Sequence, residues 1–437
     1  MRRARADGGA IAAAAALAAV MAGTALVVDT NAAAAFDAPK RLIALVGIAL
    51  AAAAAFAFHR LVEPDATRPW NAGPPTRRAA LWLAAAGLVM ALSAALASPR
   101  RGPSLDALRA LAIFALLLPL GASRAVEKGR SWLIGVFLGA TMVNAVVSIL
   151  QSRGRFQPFL LETLGDRQST GAYAGNVGYL AITLALAAVV TLGLVMTARG
   201  RRARIAFGLA LGLFAAALVV NLNLTAMTSA LAGAAVLLVV RYRRRAALPM
   251  VAAFLAVGIA VAGYAPLRGR VRELVEAARL GNWDALVSFR GGPWTAAVEM
   301  ARERPMTGFG PGKFAAEYVP HRLAAEIRAH RRFVVPLLTS SYAEAHCDYL
   351  QVFSDAGVAA GLLVLGAVGC LFAAVGRAAW RAKAPEAAIL LALLAAGAAA
   401  ALTWFPLQRP VTAVPLLLAV GRAWQISRNR EPSGETS

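Results

Sequence analysis

Tyr342-Ala-Glu-Ala-His-Cys-Asp-Tyr-Leu-Gln351 runs directly into the largely apolar stretch Val352 to Val375. A helix of that length crosses the ~30 Å hydrocarbon layer of a bilayer. The polar decapeptide therefore stands where an extramembrane segment re-enters the membrane. It places an imidazole, a carboxylate and two tyrosines at a boundary suited to a substrate that is half lipid, so a membrane active site is the first expectation.

The rest of the chain supports the bilayer reading. Hydrophobic residues make up 59% of the 437 and charged residues 15%, more apolar surface than a soluble fold of this size can bury. Twelve apolar runs are expected to span, at 10–28, 41–58, 79–97, 105–120, 131–150, 172–197, 205–220, 222–240, 247–265, 350–375, 385–404 and 411–425. The fourth, seventh and twelfth are short, which leaves eleven as the alternative count. Runs near twenty residues exclude a β-barrel, whose strands need only ~10 alternating positions. The fold class is thus all-α and polytopic, with about twelve transmembrane helices and one large outer loop between the ninth and tenth.

A net charge of +23 would suggest nucleic acid in a soluble chain. Here the arginines cluster between apolar runs, so no nucleic-acid partner is expected. With the amino terminus inside, the inner loops hold groups such as Arg199/Arg201/Arg202/Arg204 and Arg241/Arg243/Arg244/Arg245. The short outer loops hold only Lys40, Arg41, Arg100, Arg101, Arg153, Arg155, Arg167 and Arg409. This asymmetry predicts both termini in the cytoplasm. The long connection then lies outside, and its twelve basic residues against eight acids suggest an anionic ligand or lipid phosphates.

Four regions follow: 1–265 with nine spans, 266–345 as an outer loop with short helices, 346–426 with three more spans, and a polar tail at 427–437. Helical spacing appears in Leu267 to Leu280, Trp294 to Glu303 and Ala315 to Arg332. Between the last two, Arg304-Pro-Met-Thr-Gly-Phe-Gly-Pro-Gly-Lys-Phe314 is a turn-rich loop by its glycines and prolines. No Ser or Thr follows Lys313, so it is not a nucleotide phosphate loop, although a backbone anion nest stays open. Met1-Arg-Arg-Ala-Arg and the alanines that follow have the look of a signal peptide, but a run near nineteen residues favours a retained span. Cys347 and Cys370 are expected to remain thiols. His321 and His330 lack a carboxylate-rich ligand set, so no metal is expected. Gly357-Val-Ala-Ala-Gly361 reads as close helix packing.

Ser288-Phe-Arg290 with Trp294, then Glu303-Arg-Pro-Met-Thr-Gly-Phe-Gly-Pro-Gly312, then Ala345-His346-Cys-Asp-Tyr-Leu-Gln351 with Gly357 and Gly361 resemble the signature of the O-antigen ligase and polymerase superfamily of bacterial envelopes. Arg167 ahead of Gly171-Ala-Tyr-Ala-Gly-Asn176 is similar to that family's arginine before a helix entrance. Trp404-Phe-Pro-Leu-Gln-Arg-Pro410 is similar to its proline-containing turn between the last spans. Two positions depart. Cys347 stands where asparagine is common, and the helix start at Thr225-Ala-Met-Thr-Ser-Ala230 lacks a frequent arginine.

The resemblance implies a metal-independent, inverting glycosyltransferase without cofactor in the bacterial inner membrane. It would move a glycan from undecaprenyl diphosphate to an acceptor hydroxyl on lipid A core, on another glycan chain or on protein, on the periplasmic side. Guanidinium groups hold diphosphate with fixed bidentate geometry and never lose their proton, so Arg167 and Arg290 are the expected diphosphate ligands. His346 is the expected general base, because imidazole titrates near neutrality. If 342–351 were helical, Tyr342 and Tyr349 would share its face, and Tyr349 and Gln351 are expected to pack or to touch sugar. Ligase and polymerase differ only in acceptor. A lipid-linked glycan transporter is the alternative from another class, disfavoured by spans almost free of Asp and Glu.

Overall fold

Without water, each backbone N–H must find its carbonyl within its own segment, which makes helices of the alanine- and leucine-rich runs. A computed structural model describes residues 2–32, 34–62, 74–97, 102–157, 170–330, 342–381 and 384–428, and among these there is no strand. In chain order the first helices are α1 (Arg2–Leu26), α2 (Ala38–Val62), α3 (Pro74–Leu96), α4 (Gly102–Ala115), α5 (Leu117–Gly121), α6 (Arg124–Ser152), α7 (Val177–Thr197), α8 (Arg201–Asn221), α9 (Leu224–Tyr242) and α10 (Ala247–Gly263). Four shorter helices follow: α11 (Ala265–Arg279), α12 (Trp283–Leu286), α13 (Gly291–Glu303) and α14 (Phe314–Ala329). The chain closes with α15 (Asp348–Arg381), α16 (Pro385–Thr403) and α17 (Pro410–Arg428).

Ten helical stretches of the described residues are long and apolar enough to cross a membrane, or eleven if α10 and α11 form one span bent by 101°. The expected fourth span is α4 and α5 in succession. The expected twelfth is α17, outside that set because Arg422, Gln425 and Arg428 dilute it. α17 nevertheless packs against α5, α16, α15 and α1. At its crossing with α5, Gly121 and Gly421 bring backbones together, and a Cβ at Gly121 would lie 2.3 Å from the Leu418 carbonyl. Small residues at such crossings are what bilayer packing requires, since lipid offers no hydrophobic drive for helices to associate. α7 is the most enclosed span, surrounded by α8, α9 and α16.

The cap has its own small core of Ala296, Ala297, Met300, Phe309, Phe314, Tyr318 and Ala345. α13 and α14 pack together there, and α13 rests on α15. The three helices expected in the cap appear as α11, α13 and α14, and the glycine-rich loop lies between the last two. Its amides are spent on α15: Phe309 N–H donates to the Ser354 carbonyl (3.0 Å) and Gly310 N–H to Asp355 (2.8 Å). Those two groups are therefore not available to an anion nest. In return, Val358 N–H donates to the Pro305 carbonyl (2.7 Å). α15 is broken at Gly357, whose φ of 81° and a space closed by Pro305 and Met306 leave no room for a side chain. Gly357 thus serves a loop-to-helix junction, and Gly361 meets the Phe353 ring across the break. This corrects the expectation of helix-on-helix packing.

Candidate active site

The N-termini of α7, α9, α15 and α17 and the C-termini of α6 and α16 meet at one end of the bundle, with α13 above them. Asn176 and Asn223 cap α7 and α9 by accepting from the Gly178 and Ala226 amides. Asn144 on α6 donates to the Ala25 carbonyl and accepts from Tyr173 N–H, tying the entrance to α7 against α1. Asn144, Asn176 and Asn223 thus serve as caps and ties.

His346 lies in the loop 342–347 with φ of 53°, one residue short of the cap position of α15. The shared-face argument for Tyr342 and Tyr349 therefore fails, because the segment before Asp348 is not helical. Tyr342 still meets His346, ring edge to ring face at 5.1 Å, through the loop. Trp404 and Phe405 enclose the imidazole at 5.3 and 4.7 Å. These two rings stack on each other, and Trp404 lies flush on α7 because Gly178 has no side chain; a Cβ there would sit 2.1 Å from the indole. Trp294, on α13, donates from Nε1 to the His346 carbonyl (3.3 Å).

Arg290 caps α13, and its guanidinium sits 4.8 Å above the Trp404 ring, so one indole is shared by Arg290 and His346. Its Nη1 also donates to Thr225 Oγ1 (3.4 Å) at the start of α9, which in turn accepts from Thr403 on α16 (3.2 Å). Arg167 lies outside the described residues. Tyr349 turns away and donates to the Ala398 carbonyl (3.2 Å). Gln351 is buried in a supporting place, accepting from Ala345 N–H (2.7 Å) and donating to Asp355 (3.0 Å). His321 is bonded to Glu303 (3.0 Å) and to the Glu317 carbonyl in the cap.

Burial, with Arg290 and Arg409 adding to it, lowers the His346 pKa to about 3, so the ring is neutral near pH 7. Burial likewise raises the Tyr342 hydroxyl and the Glu344 carboxyl. Among the described residues, His346 Nδ1, Trp404 Nε1 and Arg409 Nε are buried without a hydrogen-bond partner. Three such groups around one pair of stacked rings mark a place made for polar contacts.

Arg409, Glu344 and Asp37 were not singled out from sequence. Arg409 binds Glu344 (2.7 Å) and Asp37 (3.1 Å) and lies over the Tyr179 and Phe405 rings. The only signal was an arginine inside an apolar region beside two prolines, which equally fits an interfacial anchor.

Residues 209–365 are similar to the family model described as O-antigen ligase, and no curated protein matches the chain. The match includes Arg290 and His346 and bears out the resemblance to the O-antigen ligase superfamily. It supports a multi-pass membrane enzyme of ligase or polymerase type, with lipid-linked glycan and acceptor as substrates in general.

Proposed function

We propose that the protein transfers a glycan from undecaprenyl diphosphate to an acceptor hydroxyl, with His346 as general base and Arg290 and Arg167 as diphosphate ligands. The observation that carries this reading is the shared indole: Arg290 lies over Trp404 and His346 sits against it, where α9, α13 and α16 meet. The acceptor oxygen attacks the anomeric carbon as its proton passes to His346. The bond to the diphosphate oxygen breaks on the opposite face, so the carbon inverts. Diphosphate is already a good leaving group, and catalysis needs fixed positive charge where negative charge develops. The same anion offsets the arginine that depresses the imidazole, so His346 gains proton affinity when donor is bound. The basic inner loops support a periplasmic site in a bacterial inner membrane with cytoplasmic termini.

The test is transfer by the purified protein in EDTA, from a defined undecaprenyl-diphosphate glycan, with lipid A core in one reaction and no added acceptor in the other. Product only with core, lost in His346→Ala, supports a ligase. Chain extension without core supports a polymerase, and full activity of His346→Ala overturns the base assignment.

A further inference from the structure

We propose that Arg409 is a positioning residue for His346, holding the histidine loop through Glu344 and the turn beneath it; this rests on the reading of His346 as the base. The carboxylates two residues before and after His346 bind the same turn. Glu344 takes the Arg409 guanidinium (2.7 Å), and Asp348 accepts from Leu407 N–H (3.0 Å) and Gln408 Nε2 (3.2 Å). Asp348 N–H also donates to the Trp404 carbonyl (3.3 Å). His346 is thus clamped on both sides in a left-handed conformation that an L-residue keeps only where its surroundings over-determine it.

Arg409 is where three segments meet, because its other arm holds Asp37 in the connection from α1 to α2. It is 9% exposed, and Tyr179 and Phe405 hold its plane. A planar fork that binds two separate carboxylates is a task lysine cannot repeat. The guanidinium also faces the imidazole across Phe405, so its charge disfavours a second cation there. The charged and titratable groups around His346 are Arg290 from α13, Arg409 with Glu344 and Asp37, Asp348 of α15, Tyr179 of α7, and Tyr342 backed by Tyr318 and Arg322 of α14.

The experiment is an imidazole ¹⁵N titration of the full chain in lipid nanodiscs from about pH 8 to about pH 5, alongside steady-state transfer. His346 is assigned by its loss in His346→Gln. In the unmodified protein the ring stays neutral throughout. In Arg409→Gln the His346 ring resonances move, because the loop that holds the ring loses its anchor, and kcat falls about 10- to 100-fold while KM for donor moves less than about threefold. Arg409→Lys keeps the ring neutral but recovers only part of kcat, and it stands in if Arg409→Gln does not fold. Arg422→Gln, which breaks an ion pair at the opposite end of the bundle, changes neither reading. An Arg409→Gln protein with unmodified His346 resonances and kcat overturns the proposal. So does one in which only KM rises, which would make Arg409 a donor ligand, or an equal shift in Arg422→Gln. If no donor is turned over by any form, the functional reading fails, while the His346 resonances still decide whether Arg409 positions the ring.

Discussion

The α16–α17 pair carries a charged cluster at each end, and the two behave differently. At one end Glu386 takes Arg422 (2.8 Å) and Arg130, with side chains 12% to 49% exposed. At the other end Arg409 takes Glu344 and Asp37, with side chains 10%, 12% and 31% exposed in that order. Glu386 serves two arginines whereas Arg409 serves two carboxylates, and the Arg409–Glu344 contact is drier than the Arg130–Glu386 one. A wet pair contributes about 0 to 1 kcal/mol. A buried one gains little net stability because desolvation offsets attraction, yet removing one partner costs about 3 to 5 kcal/mol through the charge left behind. The difference teaches that the Glu386 cluster is a fastening, whereas the cluster beside His346 suits a role in fixing geometry.

The largest expected effect falls on the site itself. His346→Ala should lower single-turnover transfer about 10²- to 10⁴-fold with little loss of melting temperature. A comparable melting loss would show that the ring is structural instead. Arg290→Gln should follow, with about 10²- to 10³-fold lower kcat, read as rate at saturating donor.

A smaller effect is expected from Gly178→Ala, which pushes Trp404 off α7 and away from both Arg290 and His346. Transfer should fall by about tenfold or more with far-ultraviolet circular dichroism unchanged. A pH series sharpens the contrast between ends. Folded His346 binds its proton only near pH 3, while the unfolded chain does so near the ordinary value of about 6.5. The unfolded state therefore holds more protons between those values, and stability falls as pH drops through that window. His346→Gln should flatten that slope in a melting series. The smallest effect belongs to Arg130→Gln, whose side chain is half exposed, with a stability change of about 1 kcal/mol or less that shrinks further in high salt.

Much of this molecule was legible because its information is local. A run of apolar residues becomes a helix whatever its neighbours do, so the spans, the three cap helices and the glycine-rich loop were readable from Ala-Leu composition and from Gly308, Gly310, Pro311 and Gly312. Arg290 and His346 were reached through resemblance of a motif, and Arg167 lies outside the described residues. The register argument for Tyr349 failed because the helix begins at Asp348, and the packing role of Gly357 failed because its partner is a loop more than fifty residues earlier in the chain.

The sequence by itself determined an all-α membrane chain with a basic cap, an imidazole at a helix entrance and a guanidinium ahead of it. Only the tertiary structure decided that Trp404 lies between His346 and Arg290, and that Asp37, Glu344 and Arg409 close on one another. Hydropathy and helical period act over a few residues, whereas these contacts join segments far apart in the chain. Their distances are set by how the helices pack, which no stretch of sequence carries alone.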